Sequence, residues 1–284
     1  QGFGVASEGG GEPLGPWCLF QGASLSKVVT AVAALRAVEA GLLELDAPLN
    51  DALSSWSIPD NAFTEATTPT LRHALSHGAG FNVPSFFGYL SGSALPSLLD
   101  ILDGQSGAIH PAIRVSQEPG TDWSYSGGGY VVVQQALEDR TGSYEGWVRQ
   151  QVFVPAGMWG SGFQQPAGPG LLGVAATGNA NGSDLGAPRI YPELAAAGLW
   201  TNALDLARMV LALQRSLAGE PGGILAPATA QAMMTPQSPA PHFFDIGLDP
   251  SPGMGLGVFL VNQSLPKWFW HTGENLGYTS LVVG

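Results

Sequence analysis

Positive charge is scarce in this chain. Ten lysines and arginines stand against 22 aspartates and glutamates, for a net charge of −12 and a pI near 4.6. Nucleic acid and anionic membrane both recruit basic patches, so neither is an expected partner. Cysteine is scarcer still: Cys18 stands alone, which excludes an intrachain disulfide and any cysteine-built metal cage. No apolar run is long enough to span a bilayer, and no charged-then-apolar leader opens the chain. Because the chain starts on Gln1 and stops on Leu281-Val-Val-Gly284, like a strand cut short, it is expected to be trimmed at both ends. The missing leader therefore says nothing about export. Also absent are a repeat of solenoid period, a phosphate loop at Gly127–Gly129 (no Lys-Ser/Thr follows), and a Gly-x-Ser-x-Gly elbow. The nearest approach to that elbow, Gly22-Ala-Ser24-Leu-Ser26, fails at its last position.

What is present is core material: 45% of the 284 residues are hydrophobic and 11% charged, with 40 glycines and 22 prolines for turns. Apolar spacing predicts helices over Ser24–Ala40, closed by Gly41, and over Thr70–His77, capped by Thr70 and stopped by Gly78 and Gly80. Further helices are expected from Tyr130 to Asp139, Tyr144 to Val154, Leu204 to Leu217 and Ala226 to Met234, with short helical material within Leu42–Leu53. Gly160–Arg189 reads as a Gly-rich loop or hairpin. Gln1–Val5, Gly255–Val261, Trp268–His271 and Tyr278–Val283 read as strands. The pattern predicts an α+β fold in a single domain, 1–284. A sheet subdomain (about 1–45 and 240–284) comes from both chain ends, and a mostly helical subdomain (about 46–239) is inserted between.

Chemistry enters at one of only two lysines. Ser24-Leu-Ser-Lys27 opens a long apolar helix, and residues three apart share a helix face, so hydroxyl and amine can meet. A serine becomes a nucleophile when a neighbouring base takes its proton, and burial at a helix N-terminus can make lysine that base. The other copy of the pattern, Ser264-Leu-Pro-Lys267, holds a proline and reads as a hairpin loop. Tyr125, in Tyr125-Ser-Gly127, is either a packing residue or a phenol delivered to a site; a phenolate beside an ammonium could share a proton with it as a general base. His271-Thr272-Gly273 follows an apparent strand whose edge offers a backbone N–H for an oxyanion, and Gly273 would let substrate approach the backbone. Weaker signals are His73 and His77, four apart on a helix but lacking the metalloprotease Glu and a third ligand, so no metal is expected. Two glycosylation sequons, Asn181-Gly-Ser183 and Asn262-Gln-Ser264, are of the kind that arise by chance, and Phe81, Phe86, Phe87 and Tyr89 are candidates for an acyl pocket, a lid or the core.

Taken in order, these segments resemble the serine β-lactamase and penicillin-binding protein superfamily, and within it class C β-lactamases, family VIII carboxylesterases and D-aminopeptidases. Thr70-Leu-Arg-His-Ala-Leu-Ser-His-Gly-Ala-Gly80, Ala195-Ala-Ala-Gly-Leu-Trp200 and His271-Thr-Gly-Glu-Asn-Leu-Gly-Tyr278 support the likeness along nearly the whole chain. The resemblance implies a β-lactamase/transpeptidase-like fold and a cofactor-free, metal-free serine hydrolase. Ser24 would be the acylated nucleophile, Lys27 its activator and Tyr125 the proton shuttle, with an oxyanion site between the N–H groups of Ser24 and Glu274. Two positions depart from the family pattern: Gly127 replaces an asparagine that holds a substrate amide, and His271 replaces the lysine before Thr272-Gly273. These changes shift the expected substrate toward carboxylic esters and small amides, and away from efficient β-lactam hydrolysis. A D-peptidase, penicillin-binding or β-lactamase activity, or a non-catalytic ligand-binding homologue, are the alternatives. The resemblance alone tilts toward an exported protein and leaves the oligomeric state open.

Overall fold

Helix α1 (Leu25–Glu39) runs through the middle of the molecule. Its sequence is apolar on every face, which suits a helix surrounded by protein, and its side chains from Leu25 to Leu35 are all buried. Each buried valine or leucine there contributes about 1.5–3 kcal/mol of apolar burial. The computed structural model describes residues 2–7, 11–238, 253–261 and 268–284. The second Ser-x-x-Lys copy, the sequon at Asn262 and the 240 end of the expected sheet segment lie outside them.

Strand β1 (Phe20–Ala23) leads into α1, and a short 3-10 turn, Leu49–Ala52, follows. Next come α2 (Leu71–Leu75), α3 (Leu98–Asp103), α4 (Gly127–Thr141) and α5 (Tyr144–Val148), which continues through a π-turn (Arg149–Phe153) into α6 (Val154–Ala156). The Gly-rich stretch holds a helical turn, α7 (Pro169–Leu172), and a small hairpin of β2 (Asn179–Ala180) and β3 (Ser183–Asp184). Then follow α8 (Leu194–Ala197), β4 (Leu199–Thr201), α9 (Ala203–Ala218) and α10 (Pro227–Met233). The chain closes on β5 (Gly253–Met254), β6 (Phe259–Leu260), β7 (Phe269–Asn275) and β8 (Tyr278–Val283), an antiparallel sheet in that order. No helix among the described residues is long and apolar enough to cross a membrane.

Four expectations need correction. Val5 makes only an isolated bridge to Pro13, so the described N-terminal residues add no strand to the four-stranded sheet. β1 instead pairs with β4 and is tied to β7 and β8 by side chains: Asn275 Nδ2 donates to Gln21 Oε1 (2.9 Å) and Ser280 Oγ to Gly22 O (2.9 Å). Gly255–Val261 is not one strand but the bend and second arm of a hairpin that begins at Gly253. α4 begins three residues before Tyr130, because Ser126 Oγ accepts the Gly129 N–H at 3.0 Å and caps a first turn made of glycines. Finally, α2 ends at Leu75 and His77 turns left-handed (φ 59°), so His73 and His77 do not share a helix face.

Candidate active site

The site is built around a bend. Ala23, at the end of β1, has φ 50°, a left-handed conformation that costs a residue with a Cβ about 1–2 kcal/mol. Ser26 holds the bend: its Oγ donates to Ala23 O (2.5 Å) and accepts from the Leu199 N–H (3.0 Å), locking the start of α1 to β4. Ser24 therefore sits at the N-cap of α1, yet its hydroxyl caps nothing in the helix. It is taken up by Lys27, whose Nζ donates to Ser24 Oγ at 3.0 Å, and by a side-chain hydrogen bond with Tyr125.

Lys27 is 2% exposed, and Nζ also donates to Ala196 O at 2.9 Å. It lies 4.9 Å from the ring centroid of Tyr125 and 5.7 Å from that of Tyr130. With no carboxylate partner, burial alone lowers its pKa to about 7. Tyr125 keeps part of its ring on the cleft wall, but its enclosed hydroxyl is pushed well above the ordinary phenol range by burial, with the Ser24 hydrogen bond pulling the other way. The phenolate–ammonium pair envisaged from sequence is thus inverted. Near neutral pH the amine can be uncharged and the phenol keeps its proton.

β7 brings the other half of the site. Phe269 and Gly284 exchange both backbone hydrogen bonds. In an antiparallel pair such exchanges alternate along the strand, so at Thr272 and Glu274 the N–H and C=O groups turn away from β8. The Glu274 N–H accordingly lies on the side of β7 away from β8, and Glu274 and Ser24 both line the cleft. Gly273 makes this possible, for a reason other than substrate access: a Cβ there would collide with Gly22 O and Ser280 Oγ and stand 3.0 Å from Ser24 N. The absent side chain lets β7 lie against the backbone of Gly22 and Ser24.

Two residues assigned to substrate binding from sequence do not present side chains to the cleft. His271 is 1% exposed, and its Nδ1 lies 2.6 Å from Thr272 O, the geometry of an N–H donor. Burial first, and then the nearby Lys27, lower its pKa to about 3, so it is neutral and supplies no fixed cation. Gly127 is buried because Phe86 occupies its side-chain space: a Cβ there would stand 2.8 Å from Phe86 Cε2 and 3.1 Å from Pro84 O. Gly127→Asn should lower stability by about 1–3 kcal/mol through overpacking. Phe86→Ala should relieve part of that loss, so that thermal melts of the two single variants and the double show less-than-additive destabilisation.

The cleft measures about 1020 Å³ and is lined by Ser24, Tyr125 and Thr272–Glu274, with Phe86 and Phe87 on its wall. Phe81 and Tyr89, 2% and 5% exposed, belong to the interior instead. Arg189 is the one cationic side chain, and Glu274 the one carboxylate, among the described residues lining it. Ala196, whose carbonyl holds Lys27, lies in a stretch that supported the family resemblance but was given no role in the site, and the contact of Phe86 with Gly127 carried no sequence signal. The described His, Cys, Asp and Glu residues form no cluster of three suited to a metal.

Comparison with known proteins agrees with this arrangement. The family model described as Beta-lactamase matches residues 1–284. A lovastatin esterase of Penicillium rubens is 27% identical, over 87% of this chain and 71% of its own length. Penicillin-binding protein 4* of Bacillus subtilis is 30% identical over 55% of this chain, which spans only 33% of that relative. Among solved structures, the octameric penicillin-binding protein homologue from Pyrococcus abyssi superposes with a TM-score of 0.76 at 23% identity, covering 99% of this chain and 62% of that one. The penicillin-binding protein from Bacillus halodurans does so at 0.72 and 24%, covering 99% and 81%. These likenesses fix the fold as β-lactamase/transpeptidase-like.

Proposed function

This chain belongs to the β-lactamase family, and from that premise we propose that it is a serine hydrolase that cleaves carboxylic esters or small amides through an acyl-enzyme. The observation that carries the reading is the meeting of Ser24 Oγ, a buried Lys27 amine 3.0 Å away and the Tyr125 phenol at the floor of one cleft. The uncharged Lys27 takes the Ser24 proton as Oγ attacks the carbonyl carbon. The N–H groups of Ser24 and Glu274 bind the resulting oxyanion. Tyr125 gives its proton to the leaving oxygen or nitrogen, and the Lys27 ammonium restores it. Water then enters, yields a proton back along the same groups, and releases the acid.

Esters and small amides fit better than β-lactams. The buried, neutral His271 offers no charge to a substrate carboxylate, and Phe86 fills the space from which an amide side chain at position 127 would reach. The esterase relative points the same way, whereas the penicillin-binding relatives favour penicillin binding as second reading, with D-peptidase activity as the enzyme form of it. Treating the protein with a fluorophosphonate, followed by intact mass and peptide mapping, is expected to give one adduct, on Ser24. No adduct, or one elsewhere, would leave a non-catalytic homologue. Turnover of a short-chain nitrophenyl ester, a chromogenic cephalosporin and a D-alanyl peptide then separates the two enzyme readings, with the ester expected to be fastest.

A further inference from the structure

His77 is a buried titratable group that the chemistry above does not use. It is 1% exposed, and Trp123, Tyr125 and Tyr130 pack around its ring at centroid distances of 5.9, 4.4 and 5.3 Å. It holds φ 59°, although a glycine, which would take that conformation freely, stands next to it at position 78. Two hydrogen bonds explain the placement. The Ser124 N–H donates to His77 O at 2.9 Å, and the Ser126 N–H donates to His77 Nδ1 at 3.1 Å. One residue thus grips the chain immediately before and immediately after Tyr125, and its ring backs the phenol from behind.

We propose that His77 is the positioning residue of this site: its carbonyl and ring nitrogen fix the two residues flanking Tyr125, and so set where the phenol stands against Ser24. The inference rests on the hydrolase reading. To accept the Ser126 N–H, Nδ1 must carry no proton. The surroundings enforce this: burial disfavours the imidazolium first, a proton on nearby Lys27 or His271 would disfavour it further, and Tyr125, Tyr130 and Trp123 supply no anion near neutral pH.

Two substitutions separate this role from mere tolerance of a left-handed backbone. His77→Gly takes φ 59° without strain but has no acceptor. His77→Asn also tolerates that conformation, and its Oδ1 falls near the place of Nδ1. A displaced Tyr125 should be felt most where the leaving group needs a proton. His77→Gly is therefore expected to lose about 100-fold in kcat on ethyl butyrate, with KM little changed and a much smaller loss on nitrophenyl butyrate. His77→Asn should recover to within about 10-fold of the native rate. Equal losses on the two esters, no loss in His77→Gly, asparagine no better than glycine, or neither variant folding would each overturn the proposal. Fluorophosphonate labelling of the native protein keeps the two levels distinct, because an unlabelled native protein sinks the hydrolase reading itself.

Discussion

Lys27→Met should acylate roughly 10³-fold more slowly than the native protein and yet unfold at a higher temperature. The rate falls because Ser24 loses the amine within reach of its proton, Nζ at 3.0 Å. The stability gain comes from the same burial that makes the amine useful. Lys27 falls from 10.5 in the unfolded chain to about 7 in the folded one, so between those values the unfolded state binds more protons and stability rises with pH. Below pH 7 the whole penalty is present, on the order of 5 kcal/mol for such a shift. Methionine fills nearly the same volume without the charge. It orphans Ala196 O, at a cost of about 1–3 kcal/mol, so a net gain remains. Melts of both proteins from pH 6 to pH 10 check the sign: the variant's advantage should shrink as pH rises. A constant difference would mean that packing, not charge, separates the two. For the native protein, acylation should climb through about pH 7 and level off as Lys27 loses its proton.

What could be read from the sequence was local. Ser24 and Lys27 lie three apart on one helix, and the Gly41 stop needs only its own turn (φ 69°), so α1 and the first pair of site residues were legible from spacing. β7 was underestimated because Thr272-Gly-Glu-Asn275 breaks the apolar pattern, although the strand continues through it to the turn at Gly277 (φ 83°). The polar stretch is where the strand leaves the core for the cleft, so hydrophobicity hides the cleft-lining part. Gly127–Gly129 reads as loop by propensity, but its helical turn is imposed by neighbours: Phe86, Asn82 O and Phe81 each press where a Cβ would be. His77 was legible as the end of a short helix, as half of a metal spacing and as part of the family-like stretch Thr70–Gly80, but none of these gave it a role. Its real partners, Ser124 and Ser126, lie far along the chain, and no periodicity encodes a contact of that kind.

Tyr125→Phe should divide substrates by leaving group. It is expected to slow acylation by about 10³-fold for ethyl butyrate or the corresponding amide, and by only about 10-fold for nitrophenyl butyrate. The reasoning begins with the proton. Burial raises the Tyr125 phenol far above its ordinary range, so near neutral pH it carries its proton in the free protein and is not the group that starts the reaction as a base. Lys27, near 7, is the group that can. The phenol's remaining role is to donate, and a donor matters in proportion to the basicity of what departs. Nitrophenolate leaves as a stable anion and needs no proton, whereas ethoxide and amide anions do not depart without one. Phenylalanine keeps the ring, its contact with His77 at 4.4 Å and its place beneath Lys27, and removes the O–H with its hydrogen bond to Ser24. Single-turnover acylation rates for the three substrates, native against variant, give the comparison. Equal losses on all three would instead place Tyr125 at the activation of Ser24, before any leaving group is chosen, and would return the base to the Lys27–Tyr125 pair as a coupled unit.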